Sequence, residues 1–227
     1  MSFGVVIAAA GQGKRMGSSE KKQFIHLQNK PVLYHSVQLF KVIPHIKEIV
    51  VVTNREDIVR TQEMLLDLAP VKVVAGGEER QESVFLGLKA LQDVQYVLIH
   101  DAARPFSTQH LIERVMGKAM ETGAAIPAVP VKDTIKIVGS DREVVQTPPR
   151  QSLWAVQTPQ AFRLSTILDA HQQASENGFI GTDDSMLMEW LGQKVAVVDG
   201  EYTNVKLTTP EDLKLGENIL EKRREET

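Results

Sequence analysis

Short unbroken apolar runs alternate along this chain with longer stretches in which apolar positions recur every three or four residues. The first run, Val5-Val6-Ile7 followed by small residues, has the character of a parallel strand buried on both faces, over residues 3–9. A helix is expected to open at Pro31, because proline suits a first helical turn. Strands are then predicted over 48–53, 71–75, 96–100 and 124–129, separated by helices over 56–68, 82–91 and 109–122. This βαβα succession implies a Rossmann-like, doubly wound, mostly parallel sheet whose ligand crevice lies at the carboxyl ends of the strands.

The rhythm changes between residues 130 and 159. Residues 134–138 and 143–145 read as two short strands around Gly139-Ser140-Asp141, and Pro148-Pro149 blocks a continued ladder or helix. This protruding β-arm is too small to be a domain of its own. The earlier rhythm then returns with helices over 164–176 and 183–191, a strand over 194–199 and a last helix. Thr209-Pro210-Glu211-Asp212 opens that helix as a capping box with proline in the first turn. No repeat, low-complexity segment or linker divides the sequence, so one domain over 1–227 is expected. Residues 221–227 read as a solvated, fraying helix end.

The first strand runs directly into Gly11-Gln12-Gly13-Lys14-Arg15, followed by Lys21-Lys22-Gln23. Gly11 and Gly13, lacking Cβ atoms, let backbone N–H groups approach phosphate oxygens, and Arg15 and Lys22 add full positive charges. Two familiar nucleotide motifs fail here. A P-loop needs a lysine that Gly17-Ser18-Ser19 lacks in register, and the dinucleotide fingerprint needs its third glycine one residue before Gly17. The second strand ends in Thr53-Asn54-Arg55, without an acidic residue for a ribose, although Arg55 suits the phosphate of NADP. An NADP-dependent reductase is therefore an alternative from another reaction class.

Asp101 follows the apolar run Tyr96-Val97-Leu98-Ile99-His100, where a strand delivers its last side chain to the crevice. A hard oxygen donor there suits Mg²⁺ bridging triphosphate oxygens, and a turn or helix-capping aspartate is the structural alternative. His100-Asp101 fits a phosphohydrolase metal pair poorly, because His26, His35, His45, His110 and His171 offer no convincing ligand spacing. With 227 residues and a net charge of −3, the chain suits one large α/β unit and argues against general binding to nucleic acid or membrane surfaces. The absence of cysteine excludes disulfides, thiolate zinc sites and cysteine nucleophiles. No run approaches transmembrane length and no leader precedes the first strand, so a cytoplasmic enzyme is expected.

Six groups of residues, in this order, make the chain recognisable. After Ala9-Ala10-Gly11-x-Gly13-x-Arg15-Met16 and Lys22-Gln23 come Gly76-Gly77-Glu78-Glu79-Arg80-x-x-Ser83 and His100-Asp101-Ala102-Ala103-Arg104-Pro105. Gln157-Thr158-Pro159-Gln160 and Asn204-x-Lys206-x-Thr208-x-Pro210-Glu211-Asp212 complete the set. Together, from Phe3 to about Leu220, they resemble the 2-C-methyl-D-erythritol 4-phosphate cytidylyltransferases of the non-mevalonate isoprenoid pathway. The resemblance implies a fold of the nucleotide-diphospho-sugar transferase type, transfer of CMP from CTP to a sugar-alcohol phosphate, and Mg²⁺ as cofactor. The related ribitol 5-phosphate cytidylyltransferases share the nucleotide half and are the nearest enzyme alternative.

By the same resemblance, Arg15, Lys22, Arg150 and Lys206 are the catalytic cations. Ala9, Ala10, Gly11, Gly13, Gly77, Glu78, Ser83, Asp101 and Ala102 hold the nucleotide, and Asp101 the metal. Glu78 stands where the family often has Asp, and Ser83 could instead cap its helix. Arg104, Thr134 and Thr182 meet the second substrate, together with Arg150 and Lys206. Thr182-Asp183-Asp184 equally suits an N-cap and acidic first turn, and Thr147-Pro148-Pro149 departs from the usual residues ahead of Arg150. A two-stranded arm is marginal alone, and Ile135, Ile137, Val144 and Val145 need a partner surface. The resemblance supplies one, the same arm of a second subunit in a homodimer.

Overall fold

The computed structural model of the chain describes residues 1–11 and 21–225. Strand β1 (Phe3–Ala8) is followed by the short pair β2 (His26–Leu27) and β3 (Lys30–Pro31). Pro31 itself sits just outside the first helix, α1 (Val32–Lys41), as its N-cap. Strand β4 (Ile46–Thr53) then leads to α2 (Ile58–Met64), strand β5 (Lys72–Ala75), α3 (Arg80–Ala90) and strand β6 (Tyr96–Asp101).

The helix expected over 56–68 is split. A 3₁₀ turn at Arg55–Asp57 precedes α2 and another at Leu66–Leu68 follows it. The first is drawn tight because Asp57 is held by Lys21 at 2.6 Å and by Asn54 at 3.3 Å, while Lys21 also pairs with Glu56.

Helix α4 (Gln109–Thr122) is capped by the Thr108 hydroxyl, which accepts from the Leu111 N–H at 3.1 Å, and stops at Gly123 with φ +87°. Strand β7 (Ala124–Pro130) leads into the arm, whose hairpin is shorter than expected: β8 (Ile137–Val138) pairs with β9 (Val144–Gln146), leaving residues 134–136 irregular. The excursion also ends earlier than residue 159. Strand β10 (Trp154–Val156) already pairs antiparallel with β7, and β11 (Gln160–Arg163) continues along the same edge of β7 and joins it to β6. Neither strand was expected. Between them Gln157-Thr158-Pro159 interrupts the ladder, and such interruptions re-aim side chains.

Helices α5 (Leu164–Glu176) and α6 (Asp184–Trp190) follow, then β12 (Ala196–Asp199), parallel to β7 on its other edge, and α7 (Pro210–Glu225). The capping box of α7 is closed both ways: the Asp212 carboxylate accepts from the Thr209 N–H at 2.8 Å and the Thr209 hydroxyl from the Asp212 N–H at 3.3 Å.

Among the described residues the main sheet runs β10-β7-β11-β6-β1-β4-β5, with β12 beside β7. Strands β6, β1, β4 and β5 are parallel neighbours, and β10 and β11 are the antiparallel members. Alternation along β1 divides the core. Phe3, Val5 and Ile7 face α1 and α4, whereas Val6 faces α3 and, with Val97 and Ile99, reaches α5. Each such fully buried aliphatic side chain stabilises the fold by about 1.5–3 kcal/mol. Gly87 lets α3 lie close against the sheet, since a Cβ there would meet Val6 and Val52 methyls at 2.6 Å. The sheet is therefore covered on both faces, and its carboxyl edge is open for a ligand.

Candidate active site

The carboxyl ends of the parallel strands converge on a cavity of about 390 Å³, within the size range of small-molecule sites. β1 delivers Ala9, Ala10 and Gly11 to its wall, and β6 delivers Asp101 and Ala102. Gly77, Glu78 and Ser83 line it from the turn after β5 and the first turn of α3. Lys22, on the 3₁₀ turn Lys22–Phe24, and Lys206, ahead of α7, bring positive charge from two sides. Gly13 and Arg15 lie outside the described residues.

The turn after β5 folds back on its own helix. A Cβ at Gly76 would lie 2.6 Å from the Ser83 hydroxyl and 2.9 Å from the Ala10 methyl, so only glycine seats the turn there. Ser83 is not a helix cap. It lies inside α3, and its buried hydroxyl accepts from the Gly77 N–H at 3.1 Å, which fixes the turn facing the cavity. The Glu78 side chain is exposed, and Glu82 closes the turn by accepting from the Glu78 N–H at 2.9 Å.

Asp101 is the most constrained group in the cavity wall. Its backbone N–H donates to the Thr158 hydroxyl at 3.1 Å, its Oδ1 pairs with Arg80 Nε at 3.3 Å, and its Oδ2 with Lys206 Nζ at 2.6 Å. Burial pushes this carboxyl up, but Arg80 and Lys206 outweigh burial and hold it well below the usual carboxylate range. Among the described residues no three His, Asp or Glu side chains converge as a ready metal site. A single ionised carboxylate beside a cavity of small-molecule size nevertheless suits Mg²⁺, which takes one or two carboxylates and fills its shell with substrate phosphate and water.

His100 is no ligand. It is fully buried, edge-on to Phe40, with Nε2 3.0 Å from the Arg104 carbonyl and Nδ1 3.1 Å from the Thr158 hydroxyl. A neutral ring donating from Nε2 satisfies this whole chain of bonds through Thr158 to Asp101. Burial accordingly pushes its pKa down to about 4.

Four expected residues stand apart from the cavity wall. The Arg104 guanidinium donates to the Asn204 carbonyl at 2.7 Å and the Val156 carbonyl at 3.4 Å, and burial lowers its pKa. Thr134 and Arg150 are exposed on the arm, where Arg150 donates to the Lys132 carbonyl at 3.1 Å. Thr182 is exposed before α6, whose N-cap is Asp183, accepting from the Met186 N–H at 2.9 Å.

Two supporting groups were not singled out from the sequence. Arg80 was read as part of the glycine turn, although an arginine three residues after Gly77 on a helix start was a usable signal. Thr158 sat unassigned in the Gln157-Thr158-Pro159-Gln160 motif, yet it ties β6 to buried Asn204, whose amide donates to the Thr158 carbonyl at 2.9 Å.

Residues 3–222 match the family described as IspD: 2-C-methyl-D-erythritol 4-phosphate cytidylyltransferase. A protein of that name from Halalkalibacterium halodurans is 53% identical, over 97% of each chain. The crystal structure of 4-diphosphocytidyl-2C-methyl-D-erythritol synthase from Anaerococcus prevotii superposes with a TM-score of 0.87 at 33% identity, covering 97% of this chain and 96% of that one. The cytidylyltransferase of Thermus thermophilus gives 0.80 at 31% identity, covering 97% and 100%. With Gly77, Lys22, Lys206 and Asp101 gathered at the sheet's carboxyl edge, and with that match running from Phe3 to residue 222, this chain belongs to the 2-C-methyl-D-erythritol 4-phosphate cytidylyltransferase family.

Proposed function

We infer that the chain transfers CMP from CTP to 2-C-methyl-D-erythritol 4-phosphate, giving 4-diphosphocytidyl-2-C-methyl-D-erythritol and pyrophosphate. An oxygen of the sugar-alcohol phosphate attacks the α-phosphorus, and the bond from that phosphorus to the bridging oxygen of pyrophosphate breaks. A phosphate monoester has its second pKa near ~6, so the nucleophile is already substantially dianionic and needs no general base. What the protein must supply is in-line placement of two repelling anions and compensation of the charge on the leaving pyrophosphate.

The observation that carries this reading is the convergence of Lys22, Lys206 and the Gly76-Gly77 turn on one cavity beside ionised Asp101. In it, Lys22 and Arg15 compensate the triphosphate, and Lys206 takes the second substrate's phosphate with Arg104 and Arg150. Backbone groups around Gly77 and the Ser83-fixed turn read the cytosine amine, a donor where uracil presents an acceptor. Asp101 would hold Mg²⁺ together with phosphate oxygens. When bound, the ion neutralises phosphate charge and acts as a Lewis acid.

The arm supports a homodimer. Its exposed apolar side chains lack a covering surface in one subunit, and a second copy would bring Thr134 and Arg150 to a neighbour's crevice. Among the described residues no helix is long and apolar enough to cross a membrane, in keeping with action in the cytoplasm. Pyrophosphate release should be fastest with CTP among the nucleoside triphosphates, and much faster with methylerythritol phosphate than with ribitol 5-phosphate. The reverse preference between the two acceptors overturns the assignment.

A further inference from the structure

Asp101 is shared between two cations that are held very differently. Lys206 reaches it at 2.6 Å from an irregular segment ahead of α7 and, among the described residues, makes no other ion pair. Arg80 reaches it at 3.3 Å through Nε while its Nη2 is fixed to Asp184 at 2.8 Å. Asp184 is 1% exposed, at the start of α6, and its other oxygen lies 3.3 Å from Nε2 of buried His171 on α5. His171 in turn stacks on Phe85 of α3, with ring centroids 5.7 Å apart. Three helices thus clamp Arg80 from behind the cavity, whereas among the described residues nothing comparable clamps Lys206.

We propose that Arg80 is a positioning residue, the fixed counter-ion of Asp101, and that its presence frees Lys206 to leave Asp101 for the phosphate of the second substrate. The physical reason is charge compensation. A buried carboxylate stripped of its counter-ions is costly, so a lysine that was the sole protein partner of Asp101 could not turn to an incoming phosphate without that cost unless a metal ion had already taken its place. With Arg80 in place, Asp101 keeps one ion pair throughout. Arg104 also bears on Asp101, but its guanidinium donates to the Asn204 and Val156 carbonyls and is not hydrogen-bonded to Asp101. Arginine suits the fixed role because its planar fork spans two carboxylates at once, which the point charge of lysine cannot do. The inference rests on the reading that Lys206 meets the acceptor phosphate.

A double-mutant cycle separates the two ideas. Calorimetry would give the Kd of methylerythritol phosphate for protein saturated with the unreactive α,β-methylene analogue of CTP, beside KM and kcat with CTP itself. Lys206→Met should weaken acceptor binding about tenfold, Arg80→Gln about fivefold alone, and Arg80→Gln less than about twofold more once Lys206 is methionine. A merely structural role for Arg80 would weaken binding equally in both backgrounds, and that additive result, or no effect in the native background, overturns the proposal. If Lys206→Met leaves acceptor binding unchanged, the assignment of Lys206 falls and the proposal with it. Thermal melts check folding. Should Arg80→Gln not fold, Arg80→Lys carries the same cycle, with coupling expected in the same direction.

Discussion

The crevice and the arm are built from the same kind of residue and reach opposite states. Val50, Val51 and Val52 of β4 are fully buried, with their strand ending at the cavity, whereas Val144 and Val145 of the arm are 59% and 68% exposed. β4 has a parallel neighbour on each edge and helices on both faces, while β9, among the described residues, pairs only with β8. β-branched sequence therefore supplies strand propensity in both places, but burial is decided by what the topology lays over it. The polar groups divide in the same way. Asp101, Arg80 and Asp184 are joined in one ion-paired network, and Arg150 on the arm is exposed with, among the described residues, a single carbonyl contact.

This contrast is most sharply tested at the crevice. Lys22→Ala should lower turnover by ~10²-fold or more, the scale of losing one electrostatic stabiliser of a transition state, and Arg15→Ala should act likewise. Steady-state kinetics decide the point, because recovery of normal turnover at saturating CTP would reduce both cations to ground-state binding.

A second test probes the foundation beneath the crevice. The folded-state pKa of His100 is about 4, below the unfolded imidazole value of 6.5, so the unfolded chain binds more protons between these limits. Stability should therefore fall as pH drops through that window, by about 3 kcal/mol from this ring in total. Burial depresses His35 as well and adds in the same direction. Asp101 and Asp184, held below the ordinary carboxylate range by Arg80 and its partners, add a further loss only at lower pH. Thermal unfolding at pH 7 and pH 5 measures the effect. His100→Gln should flatten the difference, and an equally steep profile in that variant would place the acid sensitivity elsewhere.

The arm should give the smallest effect. Deleting residues 135–145 removes no crevice contact, so the protein should still fold and bind CTP. It should become monomeric and raise the KM for methylerythritol phosphate by roughly threefold or more, with less change for CTP. Light scattering that finds the intact protein a fully active monomer would break the proposed link between the arm and a second subunit.

Much of this architecture was legible because its signals were local. The helices at residues 109–122 and 164–176 begin and end where the apolar spacing predicts, since amphipathic patterns are written in consecutive residues. The short runs Trp154-Ala155-Val156 and Gln160-Ala161-Phe162-Arg163 carried no such signal. The first is an apolar run of only three residues and the second is four residues of mixed polarity beside Pro159, and they became strands because β7 and β6 offered them open edges.

The site divides along the same line. Gly11, Lys22 and Asp101 were legible from the glycine turn and the strand end, Gly77 and Lys206 from the family resemblance, and the fold brings all five to one cavity wall. Only the tertiary structure decided that Arg80 stands between Asp101 and Asp184, and that Thr158 carries a hydrogen-bond chain from His100 to Asp101. Those contacts join residues 21, 104 and 57 positions apart in the chain. No local pattern encodes them. They exist because burial in the folded sheet forces each desolvated charge and hydroxyl to find a partner, and that partner is selected by packing rather than by sequence distance.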